Sequence, residues 1–165
     1  LFDMGVYAVA RLIAVLGRVV RVTARLTTVA KPTPLEDSAM LILEFENNVL
    51  ATAENSWCDP ARTAFLRIHG TQGKLWNPGE GGSSLDWIRP GSADREWAEP
   101  IMEHLAVPPF PNQHEEWLQH IHKGTQPQLS NIWAARHVME VLLAAQESSQ
   151  AGTPITVESV PNLLG

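Results

Sequence analysis

Apolar positions along the chain fall into three regimes: a continuous apolar run, a series of alternating segments, and two helical periodicities. Residues 1–17 (LFDMGVYAVARLIAVLG) are apolar at nearly every position after Tyr7. That run predicts a helix, which Gly17 ends as a glycine just past a helix terminus commonly does. A helix apolar on nearly every side is normally buried on nearly every side. It therefore predicts two covering layers, of which the rest of the chain supplies one.

Alternation then takes over. Residues 19–29 (VVRVTARLTTV) predict a strand with Val20, Val22, Ala24 and Leu26 on one face and Arg21, Thr23, Arg25 and Thr27 on the other. Lys31-Pro32-Thr33-Pro34 is a loop, because proline cannot continue a central strand. Residues 38–46 alternate again, with Ala39, Leu41, Leu43 and Phe45 facing one way, and Asn47-Asn48 is a hairpin signal into a return strand over 49–57. Residues 63–69 predict a further strand. It turns through Gly70-Thr71-Gln72-Gly73 into Lys74-Leu75-Trp76, and 85–89 is a short strand. The proline-rich stretch 90–112 is expected to be irregular. Helical signals return at Gln113–Lys123, closed by Gly124. A longer helix is capped by Ser130 or Asn131 and reaches about Gln150, with Ile132, Ala135, Val138, Met139, Leu142 and Leu143 as its apolar stripe. Residues 154–157 add an edge strand. Helix, mainly antiparallel strands, then helices predict an α+β two-layer sandwich: an open sheet with helices packed on one face.

Composition narrows the function classes. The 165 residues fit one domain, and 44% hydrophobic with 18% charged residues is ordinary for a soluble fold. A net charge of −6 offers no general attraction to nucleic acid or to anionic lipid. The charge is uneven: Arg11, Arg18, Arg21, Arg25 and Lys31 face only Asp3 in the first 31 residues, which marks that end as a local contact surface. The single cysteine, Cys58, excludes an internal disulfide or a multi-cysteine zinc site and reads as a buried or half-buried thiol. The opening apolar run is shorter than the ~20 residues that cross a bilayer. It also lacks a basic leader, so no membrane association and a cytoplasmic location are expected. The chain starts without Met inside a structured pattern and reads as a fragment.

Asp3 and Tyr7 are four positions apart, which puts a carboxylate and a phenol one turn apart on the same side of a helix. The pair reads as an acid/base site, or as an N-cap beside a core aromatic. His114, Glu116, His120 and His122 lack metal-site spacing and read as a solvated helix face. His69 reads as structural, and Trp87 and Trp97 as packing residues.

Asp3-Met4-Gly5-Val6-Tyr7 resembles the D-x-G-x-(H/Y) motif that opens the C-terminal domain of the Gfo/Idh/MocA family (glucose–fructose oxidoreductase, inositol dehydrogenase, rhizopine catabolism). Glu36-Asp37-Ser38-Ala39, Phe45-Glu46-Asn47, Ala53-Glu54-Asn55-Ser56-Trp57, Ile68-His69-Gly70-Thr71-Gln72-Gly73 and Ala151-Gly152 agree in order and approximate spacing. The resemblance implies a single C-terminal substrate-binding and oligomerisation domain over 1–165. A Rossmann domain that binds NAD or NADP would precede it, since no G-x-G-x-x-G opens a strand–helix unit here. It implies hydride exchange between nicotinamide and a sugar, polyol or related hydroxyl compound. Tyr7 would be the acid/base, Asp3 its polar support, and Asn55, Ser56 and Trp57 the substrate-lining residues. No metal is implied, and homo-oligomers would form through the open sheet face. A phenol of pKa about 10 needs a nearby cation to act as a base at neutral pH, and the family's E-K-P lysine would supply it from the preceding domain. Ala10 departs from the Asp or Asn that many relatives carry. The alternative is a non-catalytic assembly or ligand-binding module of the same fold.

Overall fold

A computed structural model describes residues 1–59, 66–77, 84–91, 101–106, 112–127 and 130–163. In chain order the elements are α1 (Gly5–Leu16), β1 (Val19–Thr27), β2 (Ser38–Phe45), β3 (Leu50–Ser56), β4 (Leu66–Gly70), β5 (Gly73–Asn77), β6 (Ser84–Arg89), β7 (Ile101–Ala106), α2 (Gln113–Lys123), α3 (Ile132–Ala151) and β8 (Ile155–Thr156). They form two compact units, Leu1–Asp59 with Asn112–Gly165, and Pro60–Pro111. Each contains a four-stranded antiparallel sheet, so the class is α+β as the pattern predicts.

In the first unit the strand order is β3-β2-β1-β8. The β2–β3 hairpin turns at Asn47-Asn48, where Asn48 takes φ +62°, a conformation Asn tolerates. Alternation in β2 is realised as predicted: Ala39, Leu41, Leu43 and Phe45 are buried. They meet Val9, Leu12 and Ile13 of α1 and Val138, Val141 and Leu142 of α3 in one apolar core. The opposite sheet face presents Arg21, Arg25, Met40, Ile42, Thr52 and Glu54 to solvent, with Arg21 and Glu44 paired at 3.0 Å.

Three sequence expectations need correction. In β1, Val19 rather than Val20 joins Val22 in the core, because a bulge between Val19 and Arg21 shifts the register against β2 and inserts Val20 as an extra residue. In α3 the buried stripe is Ala134, His137, Val138, Val141, Leu142, Ala144, Ala145 and Ser148, whereas Ile132, Ala135, Met139 and Leu143 are exposed. Small residues let the helix lie close to the sheet, and two polar ones hydrogen-bond its backbone. Buried His137 accepts the Val19 N–H at Nε2 (3.0 Å), and Ser148 Oγ accepts that of Ala24 (3.1 Å). Ser149 Oγ adds the Leu26 N–H at 2.9 Å. The third correction lies in the second unit, where residues 101–106 of the expected irregular passage form β7. Its pairing with β6 carries Asp86–His104 and Arg89–Glu103 contacts, partners that no local pattern reveals.

The second unit orders its strands β4-β5-β6-β7. Gly70 pairs with Gly73 around Thr71-Gln72, the predicted tight turn. Gly73 takes φ +155°, and a Cβ there would lie 2.5 Å from Trp87 Nε1 and 2.7 Å from the Ile88 carbonyl oxygen. The Arg67 guanidinium stacks 4.4 Å from the centre of the Trp76 ring. Trp97 and the start of the expected 63–69 strand lie outside the described residues.

The C-terminal segment is tied down by polar contacts. Asn131 caps α3 through Trp133 and Ala134 N–H and donates to the Asn162 carbonyl at 2.8 Å. Glu140 accepts the Glu158 N–H at 2.7 Å, and His137 Nδ1 meets Ser159 Oγ at 2.8 Å. Since His137 Nε2 accepts from an amide, its proton sits on Nδ1, and burial holds its pKa below the usual histidine value. The predicted edge strand is β8, on the outer side of β1. No helix of the described residues is long and apolar enough to cross a membrane.

Candidate active site

The start of α1 gathers the residues singled out in the sequence. Met4 is the N-cap residue, with no side-chain cap bond, so Asp3 does not serve as the N-cap. Asp3 is exposed in the turn ahead of the helix, and Tyr7 is 66% exposed in its first turn. Tyr7 is thus a surface phenol and not a core aromatic. No hydrogen bond joins it to Asp3 among the described residues.

Gly5 is buried beside Asn55: a Cβ at Gly5 would lie 2.9 Å from Leu1 Cδ1 and 3.5 Å from Asn55 Nδ2. The absence of a side chain lets the helix start settle on the end of β3. Asn55 lies on the inner face of β3, opposite Ala39, and its buried Nδ2 has no hydrogen-bond partner among the described residues. Unpaired buried amides are uncommon and costly. Ser56, one residue on, alternates to the other face, where its Oγ lies 3.2 Å from Ser38 Oγ and accepts the Cys58 N–H at 3.0 Å. Trp57 is exposed, with its N–H donated to the Asp37 carbonyl at 2.8 Å. The structure therefore brings Asn55 to the head of α1, and separates Ser56 from it by the strand's own pleat.

Asp37 figures in the sequence only within the Glu36–Ala39 stretch, with no role of its own. Its side chain, 4% exposed as a residue, accepts the Val29 N–H and the Ser38 hydroxyl at Oδ1 (2.8 and 3.1 Å). Its Oδ2 accepts the Ala30 and Lys31 N–H groups at 2.8 and 2.9 Å. The Lys31 and Ala30 amides hold its carboxyl far below the usual carboxylate range, against the opposing effect of burial, with Val29 and the Cys58 thiol adding to them. The available signal was an acid placed where a Lys-Pro-x-Pro loop re-enters a strand, the setting in which Asp side chains bond nearby backbone.

The remaining candidates stand apart. His114, His120 and His122 belong to α2, where His120 Nδ1 pairs with Thr125 Oγ1 at 2.8 Å. His69 is exposed on β4, and half-buried Trp87 packs over Gly73. Cys58 is half-buried, as expected.

A dinucleotide has no matching cradle in the described residues. Gly17, Gly124 and Gly152 follow helices, and Gly73 closes a hairpin, so no positive-φ glycine opens a helix toward a pyrophosphate.

Residues 1–76 match the family model described as the GFO/IDH/MocA C-terminal domain. The match covers 76 of the 165 residues. The solved structures extend the likeness to nearly the whole chain as a matter of fold alone. Levoglucosan dehydrogenase in its apo form matches with a TM-score of 0.80 at 16% identity, over 96% of this chain and 51% of that one. An oxidoreductase from Agrobacterium radiobacter, solved with NAD+, L-tartaric acid and magnesium, matches at 0.72 and 20% identity, over 93% and 48%. An NAD binding oxidoreductase from Klebsiella pneumoniae matches at 0.73 and 17%, over 95% and 50%. The chain spans about half the length of these structures. Among curated proteins, none matches the chain by sequence.

Proposed function

We propose that the chain is the substrate-binding and oligomerisation domain of an NAD(P)-dependent oxidoreductase acting on a sugar, polyol or related hydroxyl compound. Its dinucleotide would be held by a Rossmann domain preceding Leu1. The observation that carries this is the placement of Tyr7: an exposed phenol in the first turn of α1, four residues after Asp3 and two after Gly5, against which the unpartnered amide of Asn55 packs. In this reading Tyr7 takes the hydroxyl proton as hydride passes between the carbinol carbon and a nicotinamide supplied by the other domain. Asp3 accepts a hydrogen bond from the substrate or from Tyr7. Asn55 and Trp57 line the substrate side, with Asn55 Nδ2 free to donate to a hydroxyl once the first turn of α1 yields to it, while Ser56, on the other face of β3, acts only through its neighbours.

The ligands of the fold relatives agree in chemistry. Levoglucosan dehydrogenase has been solved with NADH and levoglucosan and with NADH and L-sorbose, and both carbon compounds carry secondary hydroxyls. The test uses the intact enzyme with NAD+ and NADP+ and a panel of levoglucosan, L-sorbose, D-glucose, myo-inositol and L-tartrate. Tyr7→Phe is expected to cut turnover by about 10²–10⁴, the usual worth of general acid–base catalysis. Turnover within threefold of wild type would remove Tyr7 from the mechanism.

Assembly is proposed to use the open face of the first sheet. There Met40, Ile42 and Leu50 are exposed beside Arg25, Glu54 and the Arg21–Glu44 pair.

A further inference from the structure

We propose that Asp37 is a positioning residue that fixes the substrate-side wall of this site. The proposal rests on the placement of the substrate beside Asp3, Tyr7 and Trp57.

Two segments beside Asp37 belong to no strand: the turn at 29–31 and the turn at 57–58. Neither has a ladder to hold it. Both close onto Asp37: the first gives three successive amides to its carboxylate, and the second reaches its backbone. The backbone of Asp37 completes the bracket. Its N–H donates to the Thr27 carbonyl at 3.1 Å, and its carbonyl accepts the Trp57 N–H at 2.8 Å. Four donors within 3.1 Å of one carboxylate leave it little freedom.

The bracket sits where it can act on substrate. Ser38, its next residue, pairs with Ser56, and Ala39 pairs with Asn55, which abuts Gly5. The segments so held present Val29, Lys31 and Trp57, all exposed, just past the ends of β1 and β3, the strand that carries Asn55. Asp37 itself is buried and touches no substrate. Its influence is on the shape and spacing of the wall, hence on substrate affinity and selectivity more than on the chemical step. It leaves the dinucleotide, held elsewhere, untouched.

The experiment compares Asp37→Asn and Ser38→Ala with wild type in the intact enzyme, using the panel compound turned over fastest. Asn keeps one acceptor oxygen and loses the other. Its KM for the hydroxyl substrate is expected to rise about tenfold or more, with kcat within about threefold and the KM for the nicotinamide cofactor unchanged. Ser38→Ala removes one donor and should raise the substrate KM about two- to threefold in a folded protein. Hydrogen–deuterium exchange of the Val29, Ala30 and Lys31 amides should accelerate in Asp37→Asn, since they lose an anionic acceptor. An unchanged substrate KM in Asp37→Asn overturns the proposal. If that variant does not fold, an unchanged KM in Ser38→Ala does so. If no panel compound is turned over, equal exchange of the 29–31 amides in Asp37→Asn and wild type does so. Normal turnover in Tyr7→Phe with a raised KM in Asp37→Asn would instead fault the acid/base assignment and leave the bracket standing.

Discussion

Replacing His137 by Ala should be among the most damaging single changes to the first unit. The imidazole is fully buried and serves two elements at once: it accepts the Val19 N–H at 3.0 Å and meets Ser159 Oγ at 2.8 Å. Alanine leaves a buried amide and a buried hydroxyl without partners, at about 1–3 kcal/mol each. It also opens a cavity between α3 and β1, for which large-to-small core changes indicate about 2 kcal/mol or more. These contributions overlap, so a net loss of about 3–5 kcal/mol is expected, a large share of the roughly 5–15 kcal/mol that holds a domain. At about 2–4 °C per kcal/mol, the melting temperature should fall by roughly 6–20 °C, read by circular dichroism. The pH dependence gives a second check. Burial depresses the folded-state pKa of His137, so the neutral ring is favoured in the native state while the unfolded chain takes up a proton below about 6.5. The stability associated with the neutral ring is complete above that value and drains away as pH falls below it. His137→Gln, which cannot titrate, should show a flatter melting temperature between pH 7 and 5 than wild type. A shift under 3 °C in His137→Ala, or identical pH slopes in His137→Gln and wild type, would refute the assigned role.

Two other changes probe separate features. Gly73→Ala forces a side chain into φ +155° against the Trp87 ring and the Ile88 carbonyl, and should cost about 2–5 kcal/mol from strain and overpacking together, seen as early loss of Trp fluorescence in a denaturant titration. Ile42→Glu on the open sheet face should shift the intact enzyme to a smaller species in sedimentation velocity without lowering its melting temperature by more than about 3 °C, because the side chain is already exposed. An unchanged sedimentation coefficient would remove this face from assembly.

Legibility in the sequence tracked how local the controlling physics is. Elements set by caps and alternation were readable: α2 between Asn112 and Gly124, β2 with its four buried positions, and the Asn47-Asn48 hairpin all follow from nearby residues. The α3 stripe was misread because hydrophobicity points to Ile132, Met139 and Leu143, whereas the buried face is chosen by closeness of approach and by hydrogen bonds to β1, which favour Ala, His and Ser. The bulge that puts Val19 inside and the strand β7 depend on partners far along the chain. At the site, the acid–phenol pair was visible as spacing. The bracket at Asp37 was not, since a carboxylate turned toward its own backbone looks, in sequence, like any loop acid.

The three side chains that α3 lays along β1 carry a consequence for tolerance to length change. His137 reaches Val19 and Ser148 reaches Ala24, so eleven steps of helix are matched against five of strand. At about 1.5 Å and 3.3 Å per residue the helix interval measures roughly 16 Å and the strand interval, shortened by the bulge at Val20, roughly 13–16 Å, so helix and strand act as two rulers with nearly coinciding marks. Beyond the two residues of β8, these hydroxyls and the imidazole occupy amides that would otherwise offer an outside chain a template for pairing. Adding or deleting one residue between 137 and 148 would rotate the far mark by about 100° and uncover that border. Insertions and deletions tolerated by this fold should therefore spare this interval and collect in the loops.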